Sequence, residues 1–242
     1  MALIVPQWSV PANVRAVNST RQGGVSQAPW DSLNLGAHVG DELQHVLTNR
    51  QRLLETADLP SMPQWLDQVH GTGVLRLDWN VPSSLRADAA YTRTPGVVCA
   101  VMTADCLPVL FCSQDGREVA AAHAGWRGLC DGILEATINE FSAPPSQICA
   151  WLGPAIGPEA FEVGPEVREA FLTKNQAASA AFCPAEGKFY ADLGQLAKQR
   201  LQASGVRQIW DCHQCTMTRN EQFFSYRRDG VTGRMASLIW LI

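Results

Sequence analysis

VVCAVMTADCLPVLFCSQDGREVAAAHAGWRG occupies residues 97–128. Its apolar runs predict two strands joined by a polar turn, each with one chemically capable residue: Cys106 in the first, His123 in the second. The second strand is expected to break at Gly125 and pass through Arg127 and Gly128 into a helical segment, Leu129 to Phe141. In α/β structures, groups at the carboxyl ends of strands face the functional crevice. His123 and Arg127 stand at such an end.

Working outward, the N-terminal side predicts short strands at residues 3–5 and 14–17. The turn Arg21-Gln22-Gly23-Gly24 makes Arg21 either a solvated cation or an anion contact. Asn34, between Leu33 and Leu35, is either a polar group satisfying the backbone or a reader of a ligand. Leu43, Val46, Leu47, Leu53 and Leu54 share one face of a helix expected over 41–57, and Pro60 and Pro63 follow it. Residues 65–70 and 74–77 read as strands around Gly71-Thr72-Gly73, which puts His70 at a strand end beside glycines that permit close approach. Asp88, among alanines, is a candidate buried carboxylate in need of partners.

On the C-terminal side, strands are expected at 148–152 and 206–210 and helices at 163–172 and 193–201, with Asp192 capping the latter. Tyr226 and Arg227 lie in an aromatic and cationic stretch suited to stacking a planar ring and holding phosphate, or to forming a solvated turn. Met235 to Ile242 is apolar but for Ser237 and reads as a central strand. Cys212-His213-Gln214-Cys215 is a lone C-x-x-C without a matching second pair of ligands.

The chain is 242 residues long with 46% hydrophobic and 17% charged residues, which marks a globular protein able to bury a large core. A single domain over 1–242 is expected. The net charge of −4 supplies no basic field for a nucleic-acid backbone. The eight cysteines do not form a dense secreted framework. With no cationic leader and no membrane-length apolar run, the expectation is a reduced, cytoplasmic protein free of membrane.

His70, Cys106 and His123 admit three readings. Two imidazoles and a thiolate suit zinc with one open position. Cys106 as nucleophile with His123 as its base gives a metal-independent hydrolase or deamidase. The same set with Met102 suits copper, although five histidines in all are few for a multicopper oxidase. Taken singly, each residue could equally be a core thiol or a satisfied core histidine.

The chain resembles the YfiH-like family, also called laccase-domain or polyphenol-oxidase-type proteins. The motifs that carry the resemblance are TRQGGVS (20–26), SLNLG (32–36), QVHG (68–71), RADA (86–89), TADCLPV (103–109), HAGWRG (123–128), LGPAIGP (152–158) and FFSYRRDGVTGR (223–234). The resemblance implies an α/β (α+β) fold of packed mixed sheets flanked by helices. It implies zinc on His70, Cys106 and His123, and phosphorolysis of purine nucleosides (adenosine, inosine, guanosine, methylthioadenosine) with adenosine deamination beside it. The older label implies copper-dependent phenol oxidation.

For these reactions Asp105 is the nearest carboxylate to shuttle protons. Its neighbour Cys106 should point to the opposite face of a regular strand, so Asp105 could join only through a bulge or twist. Arg127, before a helix N-terminus, suits phosphate; Arg21 and Arg227 are further candidates. Tyr226 or Phe224 could stack the base, and Asn34 could bond sugar or base. No nicotinamide or flavin fingerprint implies an organic cofactor. A homo-oligomer is compatible with the sequence.

Overall fold

The computed structural model describes residues 2–242. The N-terminal part runs β1 (Leu3–Ile4), β2 (Val14–Ser19), α1 (Leu43–Thr56), β3 (Val74–Arg76) and β4 (Ala89–Thr92). The quoted stretch then forms β5 (Val98–Thr103), β6 (Leu107–Ser113), β7 (Val119–Ala124) and α2 (Trp126–Asp131). There follow α3 (Ile133–Ile138), β8 (Ile148–Leu152), β9 (Glu162–Val163), α4 (Pro165–Lys174), β10 (Phe182–Ala185) and β11 (Lys188–Ala191). The chain continues through α5 (Leu193–Ala203), β12 (Gln208–Asp211), α6 (Tyr226–Asp229) and β13 (Met235–Leu241).

Two sheets carry the architecture. One has the order β1-β2-β13-β5; the other, of mixed direction, has the order β12-β8-β6-β7-β4-β3. A small sheet, β10-β11-β9, lies apart from both. Side chains alternate across each strand. In β5, Cys99 and Val101 face the layer between the sheets, packing with Leu110, Cys112 and Trp151. Val98 and Ala100 face the opposite layer with Leu53 of α1. In β6, Val109 and Phe111 pack under α2, α3 and α5 with Leu129, Ile133 and Leu196. Both faces of β5 and β6 are thus covered, which is why these two strands are apolar along nearly their whole length.

The first predicted strand is in fact two. It leaves one sheet at Thr103, turns through Ala104–Cys106, and enters the other at Leu107. Cys106 therefore lies in a corner between sheets rather than in a regular strand. Asp105 has φ 95°, a left-handed conformation that redirects the chain here. Two further segments differ from expectation. The helix expected over 129–141 begins at Trp126 and is broken by Gly132, whose φ of 108° suits glycine. Residues 65–70 form no strand; the segment makes one isolated bridge, Asp67 to Arg86. Asp192 does cap α5, accepting from Gln195 N, and β13 lies between β2 and β5. Among the described residues, no helix is long and apolar enough to cross a membrane.

Candidate metal centre

The corner at Cys106, the end of β7 and the loop before β3 meet at one point. Cys106 Sγ lies 3.8 Å from His70 Nε2, and the ligand atoms of His70, Cys106 and His123 all lie within 4.8 Å of one another. Among the described residues they are the one group of three or more such donors. A tetrahedral zinc with ordinary Zn–N and Zn–S bonds separates its donors by roughly 3.3–3.8 Å. The residues present therefore fit a metal ion, by donor chemistry and by spacing.

Backbone geometry brings the three together. His70 has φ 60°, costly for a residue with a Cβ. The buried carboxylate of Asp88 offsets that cost by accepting from the backbone N of Val69, His70 and Gly71 at 3.2, 2.9 and 2.7 Å. Gln68 fixes the same loop against β5: its side-chain amide donates to Met102 O and accepts from Met102 N. Gly125 leaves room for the ligands, since a Cβ there would stand 2.8 Å from His70 Cδ2 and 3.0 Å from Cys106 Sγ.

Electrostatics set the protonation states. Burial opposes ionisation of Asp88, but bonds from His123, Gly71 and His70 outweigh it and hold its carboxyl below the ordinary value. As an ionised acceptor, Asp88 obliges His123 to carry its proton on Nδ1, 2.8 Å away, which leaves Nε2 free as a ligand. Burial likewise raises the Cys106 thiol, yet the charge of His123 and bonds from both histidines bring it down to about 6. Burial pushes His123 down, but the Cys106 charge and Asp88 raise it to about 9. Without metal, Cys106 and His123 are a thiolate–imidazolium pair.

The donors open into a cavity of about 430 Å³, with Met102, His38, Tyr226 and Arg234 also in its wall. Of the sequence-derived substrate residues, Tyr226 lines this cavity. The structure places the others elsewhere. Arg21 pairs with Asp31 at a separate surface cleft. Asn34 is fully buried and spends its amide on Gly36, Asp41 and Arg234 N. Arg227 bonds Glu162 O and lies over Phe161. Arg127 is exposed and stacked on Trp126. The Asp105 carboxylate is occupied by Thr216 Oγ1 (2.6 Å), Ser225 Oγ (3.0 Å) and Arg227 N (2.7 Å). It anchors the corner to the start of α6 and so holds Tyr226 at the cavity. Cys215 accepts from Gly157 N and lines a different cleft.

Sequence reasoning missed Arg234 and His38 as lining residues and Asp88 as the partner of both histidines. Asp88 had a signal, an acid among alanines. Arg234 had only its place in the FFSYRRDGVTGR motif.

A group of three donors that could hold a metal ion, at the seam of two packed sheets, marks the class of protein. The family described as multi-copper polyphenol oxidoreductase laccase matches residues 15–242. An Escherichia coli protein named purine nucleoside phosphorylase YfiH is 63% identical, with 99% of each chain covered. A Pseudomonas aeruginosa purine nucleoside phosphorylase is 54% identical over 99% of this chain and 98% of its own. The crystal structure of a Neisseria meningitidis protein superposes with a TM-score of 0.95 at 48% identity, covering 100% of this chain and 99% of that one. The chain belongs to this YfiH-like, laccase-domain family.

Proposed function

We propose that the chain is a zinc-dependent purine nucleoside phosphorylase. It converts adenosine, inosine, guanosine or methylthioadenosine, with phosphate, to base and ribose 1-phosphate, and deaminates adenosine as a companion activity. The observation that carries this reading is the convergence of His70, Cys106 and His123 in one cavity, in a chain that aligns end to end with relatives named for that reaction.

His70 Nε2, Cys106 Sγ and His123 Nε2 would hold the ion, and their N/S character favours zinc. Bound there, zinc supplies Lewis-acid polarisation and lowers the pKa of water toward neutrality. Asp88 keeps the His123 proton on Nδ1 and both imidazoles aimed. Tyr226, 61% exposed at the cavity, offers an aromatic face to the purine. Asp105 positions α6 through three hydrogen bonds, one on Oδ1 and two on Oδ2, which favours an anchoring role over proton shuttling. Five histidines, and one donor cluster among the described residues, weigh against the several centres of a multicopper oxidase. Free thiols at all eight cysteines favour a reduced, cytoplasmic setting.

The deciding experiment is product analysis with adenosine, with and without phosphate. Ribose 1-phosphate plus adenine establishes phosphorolysis; inosine establishes deamination. His70→Ala should remove both metal and turnover. The thiolate–imidazolium pair of Cys106 and His123 favours a second reading, a metal-independent Cys/His hydrolase. Full turnover in metal-free protein, abolished by alkylating Cys106, would select it.

A further inference from the structure

Arg234 and His38 line the same cavity as the three donors. Arg234 is half-buried. Among the described residues, ion pairs engage Arg21, Arg76, Arg117, Arg168, Arg200 and Arg228, but no carboxylate oxygen pairs with Arg234. Its Nη1 donates to the carbonyl oxygens of Thr232 and Gly233 at 3.1 and 3.0 Å, and its Nε and Nη2 make no bond within the described protein. Its stem is fixed: the backbone N donates to Asn34 Oδ1 at 2.9 Å, and Gly36 leaves no room beside its Cγ.

The charges of Cys106 and Asp105 reach Arg234 through space, but neither bonds it, and a desolvated cation without a direct partner is unfavourable. Its cost is recovered when an anion comes to it, and a low-dielectric cleft strengthens that attraction. Arg50 lies behind the same wall, with its guanidinium on Leu35 O and over Trp65. Burial and the two arginines, outweighing the charge of Asp67, hold His38 below its ordinary value.

We propose that Arg234, with His38 beside it, forms the subsite for the phosphate that attacks the nucleoside. This assignment rests on the phosphorylase reading and names the residues that recognise its anionic co-substrate. Nε and Nη2 hold two phosphate oxygens in the paired geometry that guanidinium favours. A third oxygen of HPO4 2− forms the bond to C1′ of the ribose. The C1′–N9 bond breaks, its electron pair goes to the purine, and the proton carried by the phosphate ends on the departing base. The products are neutral base and the ribose 1-phosphate dianion.

The test uses metal-loaded protein and inorganic phosphate. Isothermal titration gives phosphate affinity without nucleoside, and steady-state kinetics give KM for each substrate. Arg234→Gln should weaken phosphate roughly 10- to 100-fold in both measurements, the loss expected for a charge-assisted pair. KM for nucleoside should move less than about threefold, the split expected of a residue that binds only one substrate. Zinc content should be unchanged. Arg234→Lys keeps the charge without the fork and should recover part of the affinity, which also serves if the Gln variant folds poorly. Arg127→Gln, outside the cavity, should behave as the unmodified chain. Unchanged phosphate affinity in both Arg234 variants, or a loss confined to nucleoside, would overturn the assignment. Phosphate binding that depends on Arg234 without any ribose 1-phosphate formed would uphold the anion subsite while the phosphorylase reading fell.

Discussion

Asp88 Oδ1 lies 2.8 Å from His123 Nδ1, with both side chains buried, and the same carboxylate accepts from the backbone of the His70 loop. One acid therefore orients one ligand and pins the loop that carries another. In Asp88→Asn, the amide must turn its NH2 toward either His123 or the backbone donors, so one donor meets another. Zinc affinity should fall about 10- to 100-fold, the usual cost of losing a partner behind a ligand. Competition against a chromophoric chelator measures it, and unaltered affinity would show that Asp88 does not orient the site.

The same residue makes an acid-side prediction. A carboxyl held below its ordinary value contributes stability fully above about pH 4, and the contribution is lost as pH falls through the lowered value. Metal-free protein should lose stability on that limb, and Asp88→Asn should lose less of it. Urea unfolding at a series of acid pH values makes the comparison; parallel curves would refute the linkage.

In metal-free protein, Cys106 should be alkylated by iodoacetamide with a midpoint near pH 6. The thiolate is the reactive form, so the rate rises with pH through that value. Cys212, pushed up to about 12 by burial, and the buried Cys99 should react far more slowly. Mass spectrometry of the labelled peptide reads the outcome. Added zinc should protect Cys106; labelling indifferent to zinc would remove the thiol from the ligand set.

Gly125→Ala should uncouple the ligands without touching any of them. The new Cβ would crowd His70 Cδ2 at 2.8 Å and Cys106 Sγ at 3.0 Å, separations that force both to shift. Zinc stoichiometry should fall well below one per chain while far-UV circular dichroism stays unchanged. Full loading in this variant would contradict the convergence described above.

Asp105→Ala separates an anchor from a proton carrier. It strips partners from Thr216, Ser225 and Arg227 N, at a cost of about 2 to 4 kcal/mol. For a chain of this size Tm should drop by roughly 4 to 16 °C. A proton carrier would instead give a large loss in kcat with Tm preserved.

Much of the fold is legible because apolar periodicity reports burial. The run Met235 to Ile242, apolar but for Ser237, announced a strand covered on both faces, and Asp192 announced a helix cap. The same signal hid the corner at Ala104–Cys106, since hydrophobicity continues from β5 into β6 and does not mark a change of sheet. At the site, His70 stood out beside its glycines and Cys106 and His123 stood out in apolar surroundings. Arg127 looked suited to phosphate from its place before a helix, but its side chain stacks outward on Trp126. Arg234 reaches the cavity only because β13 runs beside β5, a long-range pairing that no local pattern encodes.

That pairing also dictates an order of assembly. In its sheet β5 has β13 as its sole strand neighbour, and the corner bearing Cys106 hangs from the end of β5. Until Met235 and the residues after it are made, β5 can pack on the other sheet but has no strand partner in its own. A product terminated before residue 235 would therefore lack the backbone partner of β5 and should hold the corner, and with it the three donors, less firmly.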